Sequence, residues 1–339
     1  MVQAMNTPDI HDALCAFLAE WHSDSPTVTV QTSGSTGTPK RMEVEKTRME
    51  ASARLTCDFL GLHTGDTALL CMPLQYIAGK MVVVRSLVRG LRLVTVQPCG
   101  HPLAELDEAP VFAAMIPMQV YNSLQVPRER ALLRQVNHLI IGGGAVDAPL
   151  AEALRDFPNA VWSTYGMTET LSHIALRRLN GPEASEWYTP FDSVTVSLSE
   201  RGTLVIRAPL VNPSILETND IAELNEAGCF RILGRADNTI NTGGVKVQAE
   251  QVENCLKPHF PTPFVVTAVP DPRLGEAVTL LYTDGRTADE VLRLCRETLP
   301  PYWRPRHAYR VAAIPQTGSG KVGRADARAL AETLARTAE

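Results

Sequence analysis

Between residues 69 and 166, short apolar runs alternate with longer stretches in which apolar positions recur at helical spacing. Buried strands of α/β proteins are nearly continuous apolar runs, and crossover helices lie between them. The alternation therefore predicts a mostly parallel sheet, which binds ligands at the carboxyl ends of its strands. The predicted strands are Leu69–Met72, Leu91–Gln97, Pro110–Met115, His138–Ile141 and Val161–Thr164, and the predicted helices are Lys80–Leu87 and Ala148–Phe157.

The pattern changes after Gly202, where Thr203–Arg207 and Phe230–Leu233 have the alternation of hairpin strands. Further strand-like runs, a helix over Asp289–Leu299 and a helix from Ala325 follow. We therefore predict an α/β protein in two parts. A large N-terminal α/β domain with a mostly parallel sheet covers 1–234, a hinge covers 235–238, and a small, mobile C-terminal α+β domain covers 239–339.

Composition and charge exclude several classes of protein. The 32 basic and 37 acidic residues give a net charge of −5, which argues against a nucleic-acid partner. None of the seven cysteines has CxxC spacing, so neither a zinc site nor a disulfide framework is expected. The most apolar window, Lys80–Val96, contains three arginines and therefore does not predict a membrane span. Within it, Val82–Val84 with Leu87 and Val88 predict a buried crossover helix. Because the N-terminus lacks a signal-peptide core, we expect a cytoplasmic protein.

The first candidate for chemistry is the run TSGSTGTPK at Thr32–Lys40. Glycine N–H groups and hydroxyls bind phosphate oxygens, and the ammonium of Lys40 offsets their charge. Pro39 stands where a Walker A loop has glycine, so the run indicates a different kind of polyphosphate loop. The alternative is a flexible hairpin tip.

Strand patterns flank this run at Thr27–Gln31 and Arg41–Glu45, whereas a Walker A loop opens a helix. A helix follows only from Thr47, whose spacing to Glu50 is that of a capping box.

A second candidate follows the last predicted strand of the sheet, in the segment Trp162–Thr170. Tyr165 offers an aromatic face to a base, Thr168 a hydroxyl to a phosphate, and Glu169 a carboxylate to Mg²⁺. The alternative is a strand end with a solvated glutamate.

Two weaker signals lie further along the chain. The carboxylate of Asp220 is suited to both hydroxyls of a ribose, and Arg235 would reinforce that side, although such residues are common in turns and at strand ends. Lys321 stands in the glycine-rich segment Pro315–Arg324, and a lysine near a chain end is usually solvated.

In this order the segments closely resemble those of the adenylate-forming superfamily of acyl-CoA synthetases, adenylation domains and luciferases. The resemblance extends from about Val28 to the C-terminus, and chance agreement of all the segments is negligible. The matching segments are TSGSTGTPK, IIGGGA at Ile140–Ala145, YGMTET at Tyr165–Thr170, the pair Asn219-Asp220, GRADN at Gly234–Asn238, NTGGVKV at Asn241–Val247, and PQTGSGKVGR at Pro315–Arg324.

The resemblance implies a nucleotide site in which Thr168 contacts the α-phosphate of ATP and Glu169 binds Mg²⁺. Asp220 and Arg235 would hold the ribose. The residues implied for the β- and γ-phosphates are Thr32, Ser33, Gly34, Ser35, Thr36, Gly37 and Lys40. Those implied beside the adenine are Gly143, Gly144, Ala145 and Tyr165, and Thr164 and Gly166 are further nucleotide-binding residues.

The resemblance also implies two reactions in one pocket. Lys321 would bridge the substrate carboxylate and the α-phosphate while an acyl-adenylate forms, and with Mg²⁺ it would offset the repulsion between the two anions. The small domain would then turn about Asp237, withdraw Lys321 and bring Gly243 and Gly244 beside the channel for the CoA thiol. The products would be a CoA thioester and AMP.

One departure from the family concerns the acid site. Only 31 residues precede Thr32, so one subdomain of the large domain is expected to be abbreviated. The acid pocket would then be partly rebuilt or completed by a second subunit, which makes a homodimer a further expectation. Tyr76, Ala78 and Gly79 would line the acid site with His173 near it, although a lone histidine is more often a packed residue.

This short form resembles the 2-succinylbenzoate–CoA ligases of menaquinone biosynthesis, which makes 2-succinylbenzoate the favoured acid. Three alternatives remain open at this point. The chain would be a ligase for another aryl or acyl acid, a free-standing adenylation protein that loads a carrier protein, or a nucleotide-binding sensor without turnover.

Overall fold

The computed structural model of the chain describes residues 9–31, 41–316 and 322–338. The chain divides into two units. The first comprises Met1–Val196, Ile206–Leu216 and Asn225–Phe230, and the second comprises Ser197–Val205, Glu217–Leu224 and Arg231–Glu339. The domain boundaries and the hinge expected from the sequence stay predictions.

Helices and strands alternate through most of the first unit, as the apolar pattern predicts. In chain order they are α1 (Ile10–His22), β1 (Thr27–Gln31), β2 (Arg41–Glu45), α2 (Lys46–Leu60), β3 (Thr67–Leu70), α3 (Ile77–Arg89), β4 (Arg92–Thr95), β5 (Phe112–Met115), α4 (Pro117–Gln125), α5 (Pro127–Leu133), β6 (His138–Ile141), α6 (Ala148–Leu154), β7 (Ala160–Gly166), β8 (His173–Arg178) and β9 (Thr189–Pro190).

Seven strands of this described part form one sheet in the order β4-β3-β5-β6-β7-β8-β9. Neighbours from β4 to β7 run parallel, because a crossover connection returns the chain to the same end of the sheet each time. The last two strands, β8 and the edge strand β9, pair antiparallel and have no counterpart among the predicted strands. The mostly parallel α/β sheet is confirmed.

Helices α2 and α3 pack against each other. The side chains of Val82, Val83 and Val84 on α3 are buried, which confirms the crossover helix, whereas Leu87 is 41% exposed and its predicted burial was wrong because it lies on the outer face of the helix. Within residues 9–31, 41–316 and 322–338, no helix combines the length and the apolar character that a membrane span requires.

Strands β1 and β2 form an antiparallel hairpin in which Gln31 pairs with Arg41, so the strands predicted on either side of segment 32–40 are confirmed. The predicted helix start was wrong. Helix α2 begins at Lys46 with Glu45 as its N-cap and no side-chain cap, rather than with a Thr47 capping box. The reason is tertiary: β2 runs directly into the helix, and the N–H of Lys46 donates to the carbonyl of Pro26 at 2.9 Å.

A four-stranded sheet follows in the order β10-β11-β12-β13, and a five-stranded sheet and three helices complete the described chain. The elements are β10 (Thr195–Leu198), β11 (Thr203–Ala208), β12 (Asn212–Leu224), β13 (Phe230–Arg235), β14 (Thr239–Thr242), β15 (Val245–Gln248), α7 (Ala249–Leu256), β16 (Phe264–Asp271), β17 (Gly275–Tyr282), α8 (Ala288–Thr298), β18 (His307–Arg310) and α9 (Arg324–Ala338).

The five-stranded sheet of the second unit has the order β15-β14-β17-β16, with β18 beside β17. Successive residues of a strand face opposite sides of its sheet. Val265 of β16 accordingly joins a core cluster with Ala331 of α9, whereas Val266 joins a cluster with Val252 of α7 and Val291 of α8. Helices thus cover both faces, which confirms the α+β architecture of this part.

Candidate active site

The carboxyl ends of β6 and β7 approach each other closely. The hydroxyl of Thr164 donates to the carbonyl of Ile141 at 3.3 Å. A Cβ atom on Gly142 would lie 2.4 Å from that hydroxyl oxygen, so only glycine permits this approach. Gly143, Gly144 and Ala145 follow as an exposed turn, and the structure therefore brings Thr164 and this turn to one edge of the sheet, as predicted.

Tyr165 belongs to an aromatic cluster next to this turn. Its ring meets the ring of Phe230 edge-on at 5.0 Å and lies 5.9 Å from the ring of Tyr188. Tyr188 stacks on Phe230, and its hydroxyl hydrogen-bonds that of Ser163 at 2.8 Å. Two aromatic neighbours thus fix the Tyr165 ring, which suits a site that stacks a flat base.

Strand packing requires glycine at position 166, whether or not a ligand is bound. The register of β7 and β8 shifts between Tyr165 and Gly166. A Cβ atom on Gly166 would lie 2.3 Å from the carbonyl oxygen of Ser172 and 2.5 Å from the Cα atom of His173. Leu171, in the turn that follows, has a φ of +64° and is the non-glycine residue of the described chain in the left-handed region. Backbone strain of this kind concentrates at functional sites.

Thr168 and Glu169 begin the 3₁₀ turn after β7. The amide of Asn212 donates to the backbone carbonyl of Glu169 at 2.9 Å and holds that backbone in place. The side chain of Thr168 is half-buried and that of Glu169 is exposed, and within the described residues neither takes part in a hydrogen bond or an ion pair. An open carboxylate beside a hydroxyl fits the oxygen ligands that Mg²⁺ prefers.

Asp220 and Arg235 come together, as the sequence predicts. An Arg235 Nη atom lies 3.4 Å from a carboxylate oxygen of Asp220, and the other Nη donates to Asp237 at 3.0 Å. The amide of Asn219 donates to the same oxygen of Asp237 at 3.3 Å. Asp220, which is predicted to bind a ribose, and Asp237, the predicted pivot, therefore both pair with the guanidinium of Arg235.

Gly243 and Gly244 form the two-residue turn between β14 and β15, with φ of +59° and +80°. Left-handed φ at both central residues is the geometry of a type I′ hairpin, which favours a Gly-Gly pair. The turn explains both glycines locally, and their predicted place beside a thiol channel stays a prediction.

The predicted acid-side residues lie in the first turn of α3. Tyr76 forms a parallel bridge with Gln31, the last residue of β1, while Ala78 is exposed. A Cβ atom on Gly79 would lie 2.6 Å from the carbonyl oxygen of Pro73, so the helix packs on this backbone only because the position is glycine. A cavity of about 250 Å³ adjoins this region and is lined by Glu20, Thr29, Val30, Gln31, Arg41, Gln75 and Lys80.

His173 is packed inside the first unit. One ring nitrogen hydrogen-bonds the hydroxyl of Thr56 at 3.1 Å, and the other hydrogen-bonds that of Ser172 at 3.2 Å. Burial and then the nearby charge of Arg85 hold the pKa of His173 well below its usual 6.5. The side chain is therefore neutral at pH 7.

Sequence reasoning missed Arg85, which it treated only as a charge interrupting an apolar window. Its side chain is 2% exposed on α3. One Nη donates to the hydroxyl of Ser172 at 2.6 Å, whereas the buried Nε has no hydrogen-bond partner among the described residues. Burial lowers the pKa of the guanidinium to about 10, and no carboxylate of the described chain pairs with it. A buried cation without a counter-ion is costly unless a ligand supplies one.

Some predicted residues lie outside the described residues. These are the residues of the predicted phosphate loop, Thr32, Ser33, Gly34, Ser35, Thr36, Gly37 and Lys40, and the predicted catalytic Lys321.

Comparison with known proteins gives two family matches. Residues 9–205 match the AMP-binding enzymes, and residues 262–321 match the C-terminal domain of AMP-binding enzymes. A probable 2-succinylbenzoate–CoA ligase of Mycobacterium tuberculosis (strain H37Rv) is 30% identical, over 94% of this chain and 88% of the relative.

Two solved structures illustrate the likeness of fold. An acyl-CoA synthetase (AMP-forming)/AMP-acid ligase II-like protein from Dyadobacter fermentans is 33% identical, with a TM-score of 0.65, over 93% of this chain and 92% of that chain. The o-succinylbenzoate coenzyme A synthetase of Bacillus subtilis, solved with ATP and a magnesium ion, is 22% identical, with a TM-score of 0.74, over 88% of this chain and 68% of that chain.

Proposed function

Because the chain belongs to the family of AMP-binding enzymes and is an AMP-forming acid–CoA ligase, we propose that its acid is 2-succinylbenzoate. The reaction would join this acid to CoA in menaquinone biosynthesis, with ATP and Mg²⁺ as the energy source and the metal. The probable 2-succinylbenzoate–CoA ligase of Mycobacterium tuberculosis supports this choice, because it is similar to this chain over 94% of the chain's length.

The observation that carries the choice of acid is the buried Arg85. An acid with a single carboxylate would present that group to ATP, and among the described residues no carboxylate neutralises the guanidinium of Arg85. An acid with a second carboxylate supplies the missing counter-charge, and a charge-assisted pair in a site of low dielectric is strong. 2-Succinylbenzoate has two carboxylates, so one can react while the other remains to pair with a cation.

In the first half-reaction an oxygen of the substrate carboxylate would attack the α-phosphorus of ATP and expel pyrophosphate. Glu169 would hold Mg²⁺, which neutralises phosphate charge when it is bound. Thr168 would donate to the α-phosphate, and Asp220 with Arg235 would orient the ribose. Lys321 would bridge the two reacting anions, which otherwise repel each other.

In the second half-reaction the CoA thiolate would attack the acyl carbon, and the bond between that carbon and the AMP oxygen would break. Turning the small domain about Asp237 would withdraw Lys321 and bring Gly243 and Gly244 to the thiol, so that one pocket serves both reactions.

The test is pyrophosphate release from ATP and Mg²⁺ over a panel of acids. The panel holds 2-succinylbenzoate, its two monoesters (one blocked on the aromatic and one on the succinyl carboxylate), benzoate, a fatty acid and an amino acid. Release with 2-succinylbenzoate that exceeds release with benzoate and with each monoester by about 100-fold supports the proposal, since a lost charge-assisted contact costs about that much.

Release with only a fatty or amino acid would overturn the choice of acid. Glu169→Gln is the matched control for the chemistry, because it keeps the size of the side chain and removes the charge that Mg²⁺ requires. A second arm supplies either CoA or a carrier protein bearing phosphopantetheine, and thioester formation on the carrier alone would contradict the CoA acceptor.

A further inference from the structure

Three hydrogen bonds join the backbone of Thr29 in β1, the carboxylate of Glu20 and the ammonium of Lys80 in a closed ring. The N–H of Thr29 donates to one carboxylate oxygen of Glu20 at 2.7 Å, and its carbonyl accepts from the ammonium of Lys80 at 2.8 Å. The same ammonium lies 3.2 Å from the other carboxylate oxygen of Glu20. Each charged group thus satisfies the other and one backbone group.

The ring joins three elements that are distant in sequence. Glu20 comes from α1, Thr29 from β1 and Lys80 from α3. The side chain of Lys80 is only 9% exposed, and its ammonium also lies over the ring of Phe17, at 4.7 Å from the centroid. Burying an ammonium costs free energy unless it is paired. The paired ammonium of Lys80 therefore indicates that the link between α1, β1 and α3 has a role of its own.

The elements that the ring joins carry both proposed substrate segments. β1 ends at Gln31, immediately before the predicted phosphate loop, and Gln31 bridges Tyr76. Lys80 directly follows Gly79, in the first turn of the helix that carries the acid-side residues. Thr29 faces Glu43 in the hairpin, yet its own N–H and C=O are bound on the opposite side by Glu20 and Lys80.

We infer that Glu20 and Lys80 form a positioning pair for the first half-reaction, which fixes the strand leading to the ATP-binding loop against the helix that holds the acid. The inference rests on the proposed function. In-line attack of a carboxylate on phosphorus is sensitive to displacements of about 1 Å, which cost about 100-fold in rate. Transfer of the acyl group to CoA does not need this alignment with the triphosphate.

The test compares Lys80→Met, Lys80→Arg and Glu20→Gln with a control, Arg54→Met, in the intact chain. Arg54 forms an exposed ion pair with Glu50 at 3.4 Å on α2, so its removal deletes a salt bridge away from the ring. Three quantities are measured: the Kd for ATP with Mg²⁺ by direct titration, the rate of pyrophosphate release, and the rate of thioester formation from supplied acyl-adenylate and CoA. Thermal unfolding reports the folded fraction.

Lys80→Met is expected to raise the Kd for ATP about 10-fold and to slow pyrophosphate release by about 10- to 100-fold, with thioester formation from supplied adenylate within about twofold of wild type. Lys80→Arg keeps the cation and should recover most of the loss. Glu20→Gln keeps an acceptor for the N–H of Thr29 and should raise the Kd about threefold. Arg54→Met should match wild type.

An unchanged Kd and release rate in folded Lys80→Met would overturn the inference, and so would an equal fall in both half-reactions. If Lys80→Met does not fold, Glu20→Gln decides in the same way. ATP binding needs no acid. Suppose that Lys80→Met weakens ATP binding but the wild-type chain releases no pyrophosphate with 2-succinylbenzoate. Only the proposed acid would then be contradicted.

Discussion

Replacing Arg85 by methionine should make the ligand-free chain more stable and the enzyme much worse. Burial lowers the pKa of the guanidinium from 12.5 to about 10, a difference that corresponds to a penalty of about 3 kcal/mol on the charged form. Methionine removes this penalty and fills most of the volume. The hydrogen bond to Ser172 is lost, and a bond from a charged donor is worth about 2 kcal/mol. The net expectation is a gain of about 1 kcal/mol in the free energy of unfolding.

The same substitution removes the proposed partner of the second substrate carboxylate. Deleting one member of a buried charge pair costs about 2 to 5 kcal/mol, so kcat/KM for 2-succinylbenzoate should fall at least about 30-fold. The monoester of 2-succinylbenzoate that still forms an adenylate lacks the second carboxylate, so the substitution should leave its kcat/KM unchanged. Urea denaturation gives the stability, and pyrophosphate release gives kcat/KM.

Arg89→Met is the matched control, since Arg89 lies one turn further along α3 and pairs with the carboxylate of Asp58. It should lower stability by less than about 1 kcal/mol and leave kcat/KM unchanged. The reasoning is refuted if Arg85→Met loses several kcal/mol of stability while kcat/KM stays at the wild-type value, because the guanidinium would then be a structural group.

Three further variants test other parts of the account. Gly79→Ala should cost about 2 kcal/mol and raise the KM for the acid, because its Cβ would lie 2.6 Å from the Pro73 carbonyl oxygen; Gly285→Ala, with open space around it, is the control, and equal unfolding midpoints would contradict the packing argument. Because burial and then Arg85 hold the pKa of His173 well below 6.5, the unfolded chain takes up a proton that the folded chain refuses as pH falls below about 6.5, and stability should fall by up to about 1.4 kcal/mol per pH unit. His173→Gln should remove that part of the slope in urea denaturation between about pH 7 and pH 5, and parallel curves for the two proteins would count against it. Lys321→Ala should slow adenylation by about 100-fold or more while acyl transfer from supplied adenylate to CoA persists; equal loss of both steps would argue against two domain arrangements.

Much of the fold was predictable because apolar runs leave little choice. The run around Val82–Val84 has no polar face to expose, so its burial follows from sequence alone. The strands on either side of segment 32–40 also follow from their alternation. In contrast, the spacing of Thr47 and Glu50 suggested a cap that the hairpin overrides, because the strand carries the chain into α2 at Lys46.

The site was predictable where residues act through their own chemistry, and less so where tertiary packing decides. Asp220 and Arg235 meet as expected from their types and order. Arg85 escaped notice because an arginine in an apolar helix resembles an interruption of the pattern. The packing around Ser172 shows it buried, with no carboxylate partner in the part of the chain that the structure describes. The left-handed φ of Leu171 likewise depends on the turn between β7 and β8 and has no sequence signal.

The central claim is that an oxygen of the acid attacks the α-phosphorus of ATP before CoA takes the acyl group. Oxygen-18 in the carboxylates of 2-succinylbenzoate tests it directly, by mass spectrometry of the nucleotide product after turnover with ATP, Mg²⁺ and CoA. The account predicts AMP carrying one labelled oxygen and a thioester that has lost one. Unlabelled AMP, or label in pyrophosphate or phosphate, would contradict it.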